Sequence, residues 1–449
     1  MEHVFRLCCG RYLDTRRVAL CIALTLGSLL FITDYCRGQA SDQPVEYEIP
    51  GVLDAYEILP PDLLEGRNFW LDRRVVSYGL NNRYKINSHF GKFEANGEEM
   101  LRIREHEIAA IGGLREIKKT KAFGEAFKKA ATSPLKGAQA LITDPVDTVK
   151  GIPKGIGKFF GRIGEMTKGG RGDREDGYTK ELIGFAAVKR KYAYKFGVDV
   201  YSSNEVLQKD LNSVSWAGFA GGMTVTVAML GIKSASNTAY FAVKGTQLVH
   251  GMNMILLDNS PEDLQKLNRK KMVEMGVRDS VITEFQKNPA YSPRHQTILV
   301  QALAEMQGVK NREQFIKKAL YAEYEEEAFL YQRMAEMLHG YHTQVKPIKE
   351  LVPVRKFVVG YTSDQTIVAT FPVDLLYWIE LTDLGSAALV RLDLTGRPIK
   401  KTEIWVTGTL TPRAMQEFNT RGLVIKERAG EELMPQSEEV PQEEESQKE

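Results

Sequence analysis

Cysteine is absent from most of this chain. All four, Cys8, Cys9, Cys21 and Cys36, fall within the first 36 of 449 residues. Residues 37–449 therefore hold no disulfide, no thiolate metal site and no cysteine nucleophile. An exported chain of this size on a eukaryotic secretory route ordinarily uses disulfides, so their lack leans toward a bacterial envelope. Excess charge of one sign is missing too, with 60 Lys and Arg against 58 Asp and Glu. Hydrophobic content of 43% and charged content of 26% are ordinary globular values. They argue against a disordered, collagenous or multi-span membrane chain as a whole. The familiar catalytic signatures are also lacking. His106-Glu107 does not continue as His-Glu-x-x-His, and no Gly-x-Ser-x-Gly or Walker loop occurs. The glycine-dense run 151–164 follows no clear strand, which speaks against dinucleotide binding.

Long uncharged runs number two. Residues 18–33 read VALCIALTLGSLLFIT, preceded by Arg6, Arg11, Arg16 and Arg17 and followed by Gly38-Gln39-Ala40. A basic start, a short apolar stretch and small residues at the third-last and last positions describe a secretory signal cleaved after Ala40. Sixteen residues are short for a spanning helix, which wants ~20. The alternative is an uncleaved anchor with its basic end inside. Both place residues 41–449 outside the cytoplasm, in the periplasm or cell envelope. The second run, residues 211–232, is rich in Gly, Ala, Ser and Thr and only moderately apolar. A buried core helix is the preferred reading, with Gly218, Gly221 and Gly222 allowing close packing; a membrane span is the alternative.

The body divides by pattern into an N-terminal α+β region (41–130), a basic Gly-rich segment (131–173), a helical domain (174–350), a small C-terminal α/β module (351–428) and an acidic tail (429–449). Strands are expected at 69–71, 74–76, 83–87 and 92–95. A helix opens at Glu98, with Leu101, Ile108, Ile111, Leu114 and Ile117 at helical spacing. In the helical domain, Ser202-x-x-Glu205 reads as a capping box opening a helix that runs toward Gly231. Ser260-Pro261 and Ser292-Pro293 start further helices, ending near Gly276 and Gly308. The longest helix is expected from Asn311 to Tyr341. In the last module, strands are expected at 357–359, 367–371, 377–381, 388–392, 403–406 and 423–426, with a helix capped by Thr411-Pro412. The tail carries eight Glu against one Lys and no aromatic residue, too little apolar surface to fold. The fold class is thus α+β, predominantly helical, with a helical centre and a small C-terminal α/β module.

Three patterns could carry function. In residues 146–166, Ile152, Ile156, Phe159, Phe160 and Ile163 recur at three- and four-residue steps, and Lys150, Lys154, Lys158 and Arg162 at steps of four. Helical winding separates those cations from the apolar side chains, as in a helix lying on an anionic membrane. Each cation adds ~1 kcal/mol near such a surface. The surrounding stretch 115–171 holds thirteen Lys and Arg against five acids. Pro153 and the neighbouring glycines oppose helix formation in solution. An arm docked on the protein's own helices is the plainer alternative. Glu336-x-x-His339-x-x-His342 places metal-ligand types on one helix face. Only one such motif exists, so metal binding is not favoured and no cofactor is implied. Asp364, Asp374, Glu380 and Asp383 are acids that could converge in the last module. The expected function is an exported cell-envelope protein with a binding or structural role, meeting anionic lipid or an envelope protein, and not nucleic acid. The alternative is an extracytoplasmic enzyme, such as a hydrolase, whose site is assembled from distant residues.

Overall fold

Alternation of buried and exposed residues sets the first sheet. In β5 (Asn82–Ser88), Asn82, Tyr84 and Ile86 point inward while Arg83 and Lys85 point away. The computed structural model describes residues 46–131, 175–225 and 247–434. The N-terminal run 18–33, the basic segment 146–166 and the tail beyond residue 434 lie outside the described residues. Within the first sheet β1 (Val52–Asp54), β2 (Glu65–Gly66), β3 (Phe69–Leu71), β4 (Arg74–Ser77), β5 and β6 (Gly91–Asn96) all pair antiparallel. A short helix α1 (Ala55–Ile58) follows β1.

α2 (Glu98–Lys119) lies on this sheet and links two cores. Its first half brings Met100, Leu101 and Ile108 against Tyr84, Ile86 and Ala95. Its second half brings Ile111, Leu114 and Ile117 against α3 (Lys121–Ala131), α4 (Glu175–Lys195), α5 (Glu205–Phe219) and α6 (Gln247–Asp258). The helical spacing of these apolar residues is what lets one helix serve both. Gly221, just past α5, is required by packing: a Cβ there would sit 2.2 Å from the Ala126 carbonyl oxygen.

Helices α7 (Pro261–Glu274), α8 (Asp279–Lys287), α9 (Pro293–Glu305), α10 (Arg312–Ala319) and α11 (Glu325–Gly340) build the next layer. Ser260 and Ser292 cap α7 and α9 by accepting the backbone N–H of Asp263 and His295, each with proline at the first helical position. The helices pack on a mixed five-stranded sheet, β7 (Ile348–Val354), β8 (Phe357–Thr362), β9 (Thr366–Phe371), β11 (Lys401–Val406) and β13 (Val424–Lys426), in the order β13-β11-β9-β8-β7. β10 (Leu375–Leu376) and β12 (Thr409–Leu410) form a separate parallel pair. Leu351, Val358, Val368 and Trp405 face the helices, whereas Val359, Ile367, Ile404 and Val406 face the opposite core with α13 (Pro412–Thr420). Both faces are covered, which is why these strands read as unbroken apolar runs rather than alternating ones. The apolar core crosses residue 350 without a break.

Several sequence expectations are corrected. The single helix expected over 311–341 is broken at 320–324, because Tyr291 donates to the Ala319 carbonyl and Asn288 to those of Leu320 and Ala322. Among the described residues the longest helix is α2 instead, at 22 residues. Residues 388–390 belong to helix α12 (Glu380–Val390), with Thr382, Ser386 and Leu389 buried at helical spacing. β10 precedes α12 where a strand over 377–381 was expected. α5 is capped by Asn204, whose side chain accepts the N–H of Val206 and Leu207, and it ends at Phe219. Ser202 stands two residues before that cap, and its hydroxyl accepts the Asn204 N–H at 3.1 Å instead of one from the helix. The acidic tail begins later than its composition implies: α14 (Gly430–Leu433) docks on α11, burying Leu433 and Met434. Among the described residues no helix is long and apolar enough to cross a membrane. The described residues of 211–232 begin inside α5, where Leu211, Val214 and Trp216 are buried. The fold is α+β, with fourteen helices and several sheets among the described residues.

Candidate functional site

The densest grouping of buried charge comes from four segments far apart in sequence. α2 supplies Glu99, Arg104 and Glu107; the loop between α4 and α5 supplies Asp199, Ser202, Ser203 and Asn204. The start of α9 supplies Arg294 and His295, and α11 supplies Glu325, Gln332, Arg333 and Glu336. Helix spacing explains the shares of α2 and α11, since residues three or four apart lie on one face.

Glu107, only 1% exposed, is the hub of one half. Its carboxylate accepts a short hydrogen bond from the Ser202 hydroxyl, one of 2.9 Å from Asn204 Nδ2 and one of 2.8 Å from Arg104. Arg104 also donates to Ser203 Oγ at 2.8 Å. Burial works against its charge, but Glu107 holds the guanidinium above its ordinary value. Arg333 is the hub of the other half. It grips both oxygens of Glu99, at 2.9 and 2.7 Å, and pairs with Glu336. Gln332 completes Glu336 at 2.9 Å. Burial opposes the Arg333 charge as well, yet Glu336 and Glu99 hold its guanidinium above the ordinary range.

Asp199 and Arg294 lie between the two halves. Burial raises the Asp199 carboxyl, against the pull of Arg294 and of the Tyr201 N–H at 2.9 Å. Burial lowers Arg294, whose guanidinium donates to Asn253 Oδ1 at 3.4 Å. Burial also raises Glu325, opposed by Ser203 and Arg104. All three side chains are strongly desolvated and yet only half-buried. His295 is 6% exposed, and its Nδ1 has no hydrogen-bond partner among the described residues. Burial and then the fields of Arg294 and Arg104 push it down to about 3, so the imidazole stays neutral.

A general base works best with a pKa near the working pH, and an imidazole near 3 is poorly matched to neutral solution. Ser202 and Ser203 spend their hydroxyl groups on Glu107, Arg104 and Glu325. The carboxyls of Asp199 and Glu325, raised by burial, still reach solvent, whereas His295 Nδ1 and Gln332 Oε1 are fully buried acceptors without a hydrogen-bond partner.

The residues singled out from sequence fare differently. Lys150, Lys154, Lys158, Arg162, Ile152, Ile156, Phe159, Phe160 and Ile163 lie outside the described residues. Glu336 belongs to the charged cluster, His339 Nε2 lies 3.4 Å from Glu305, and His342 Nδ1 accepts the Ile348 N–H at 3.0 Å. The three thus serve different partners, and among the described residues no group of three His, Cys, Asp or Glu could hold a metal. The acids of the last module do not converge. Asp364 pairs with Lys346, Asp383 with Arg421 and Tyr47, and Asp374 accepts the backbone N–H groups of Asn82 and Glu98. Sequence reasoning missed the charged cluster because its ion pairs and hydrogen bonds cross from 95 to 234 residues of chain. The local signs were Arg104 with Glu107 and Arg333 with Glu336, each at i and i+3. No protein-family model, curated protein or solved structure matches the chain.

Proposed function

We propose that this chain is an exported cell-envelope protein that works by binding, taking a small polar ligand rich in hydrogen-bond donors against Asp199, Arg294 and Glu325. One observation carries the reading: these desolvated charges still reach solvent, in a cluster where the neutral His295, set in the fields of Arg294 and Arg104, keeps an unpartnered Nδ1. Buried polar groups without partners cost stability, about 1–3 kcal/mol each, and a ligand that supplies the missing bond recovers it. The acids of the cluster outnumber its arginines, so amines and polyhydroxylated molecules fit better than anions.

Thermal denaturation against a panel of amines, amino acids and oligosaccharides tests this. A binding member at saturation raises the melting temperature by on the order of 5 °C, and Asp199→Asn or His295→Phe removes the rise. A panel without any such rise, or a rise that survives both substitutions, overturns the proposal.

The membrane part of the reading rests on residues 146–166. Flotation of residues 41–449, without the run 18–33, with anionic but not neutral vesicles, reversed by salt and by Lys150, Lys154, Lys158 and Arg162→Glu, is its expected signature. Binding to an envelope protein instead is the outcome if the chain stays unfloated in every lipid.

A second reading, an extracytoplasmic hydrolase, draws on the raised carboxyls of Asp199 and Glu325, since shifted acids cluster at catalytic sites. It predicts turnover that Asp199→Asn abolishes while ligand affinity persists.

A further inference from the structure

Helix α12 is built inside out. Its inward line is Thr382, Ser386 and Leu389, two of them hydroxyl residues. Thr382 donates to the Tyr377 carbonyl at 2.9 Å and Ser386 to that of Thr382 at 2.7 Å. Its outward line carries Leu381, 60% exposed, and Leu384, 41% exposed, one turn apart. Between them and Ala388 stands Gly385, where a Cβ would meet nothing within 4 Å. A surface helix ordinarily shows the reverse, polar residues outward and leucines in.

The apolar surface continues onto the segment just after residue 46. Glu48 donates its backbone N–H to the Trp378 carbonyl at 2.8 Å, laying 47–50 beside the start of α12. On its other side Ser77 donates to the Gly51 carbonyl at 3.0 Å. Ile49 projects from this seam with 91% of its surface exposed, and Tyr78 stands beyond it at 52%. Tyr47 reaches Asp383 through its hydroxyl at 2.7 Å. Arg83 lies over the Tyr78 ring at 5.1 Å and Arg421 pairs with Asp383, while the exposed Glu46 and Glu380 adjoin Tyr47 and Leu381 in sequence.

We propose that Ile49, Leu381 and Leu384 form a membrane-seating surface, with Tyr47 and Tyr78 at the headgroup level. Chain length selects lipid as the occupant. The uncharged run 18–33 ends fourteen residues before Tyr47. Fully extended, that stretch spans at most ~50 Å. A bilayer that holds the run is therefore always within reach of the patch, and tethering lets a weak surface be occupied at high effective concentration. Tyrosine at the water boundary and apolar tips beyond it suit that environment, and a neutral bilayer does not repel the neighbouring acids. The inference rests on the alternative reading of residues 18–33, an uncleaved anchor that is not removed after Ala40, and not on the basic segment 146–166.

The test uses the full chain in neutral phosphatidylcholine vesicles, with the four native cysteines replaced and one cysteine returned at a time. Ile49→Cys, Leu381→Cys and Leu384→Cys carry an environment-sensitive fluorophore, and the bilayer carries a lipid-borne quencher. Tyr321→Cys and Val273→Cys are exposed controls. The patch labels should be quenched about twofold or more beyond the controls, and Leu381→Glu with Leu384→Glu should abolish the quenching at position 49. Equal quenching at patch and controls overturns the proposal. So does a vesicle-bound chain whose patch labels stay unquenched, or a concentration-dependent blue shift without vesicles, which assigns the patch to a second copy. Failure of the chain to associate with neutral vesicles overturns it as well. Salt-sensitive flotation with anionic lipid is read separately, so loss of the 146–166 reading leaves these outcomes distinguishable.

Discussion

Asp374 Oδ1 accepts the backbone N–H of Glu98 at 2.9 Å, across 276 residues of chain. Its other oxygen accepts the Asn82 N–H at 2.9 Å. One carboxylate from the end of the C-terminal sheet thus caps α2 in place of the Gly97 that precedes it, which has no side chain to do so. It also holds the helix's start against β5. Both the first sheet and the charged face of α2 are positioned by this contact.

Removing this cap should cost about 1–2 kcal/mol, the range of a lost N-cap. The pH dependence has a definite sign. Burial pushes the Asp374 carboxyl from 3.8 up to about 6, against the N–H groups of Glu98 and Asn82. Between those values the folded chain keeps a proton that the unfolded chain has lost. The contribution to stability is fully present below the unfolded value and is lost as pH rises through about 6. Denaturation midpoints between pH 4 and pH 7 should fall more steeply for the wild type than for Asp374→Asn. Parallel profiles would show that Asp374 does not titrate in this window.

The pairing of Arg104 with Glu107 should couple strongly. Truncating one partner of a buried ion pair leaves the other uncompensated, at a cost of about 3–5 kcal/mol. Glu107→Ala should lie in that range, since it also strands Ser202 and Asn204. Arg104→Ala with Glu107→Ala should cost well below the sum of the two single changes. Urea denaturation of the four proteins completes the cycle, and additive costs would mean that the pair is not energetically linked.

Gly340 should tolerate no side chain. A Cβ there would lie 1.7 Å from the Leu433 carbonyl oxygen. That atom is backbone and cannot rotate away, so Gly340→Ala must push α14 off α11. Overpacking of this kind costs about 1–3 kcal/mol. Leu433→Ala, which removes a fully buried side chain, should cost about 2–5 kcal/mol. Limited proteolysis should then cut near residue 430 in both variants earlier than in the wild type. Unchanged cleavage would show that 430–434 does not depend on this contact.

Much of the local structure was legible along the chain. Leu101, Ile108, Ile111, Leu114 and Ile117 defined α2 because a helix repeats every 3.6 residues and all five are fully buried. Ser260-Pro261, Ser292-Pro293 and Thr411-Pro412 marked three helix starts because a cap and a fixed φ act within four residues. Strands β3 to β6 matched their expected spans to within a residue at either end. These are short-range effects, and sequence order carries them in full.

Tertiary structure decided the rest. A strand was expected over 388–392, but the burial of Ser386 and Leu389 on one side continues the helix through Val390. The break after Leu320 depends on Asn288 and Tyr291, side chains from the loop between α8 and α9. Glu107 was one acid among many until the fold set Ser202 and Asn204 against it, and His295 became a neutral, unpartnered imidazole only once the fold buried it beside two arginines. Sequence by itself determined periodicity, caps and the apolar and basic runs near the N-terminus and at 146–166. Which charges meet, which leucines face outward and which carboxyl caps a helix depend on contacts between residues far apart in the chain, and desolvation gives those contacts their strength.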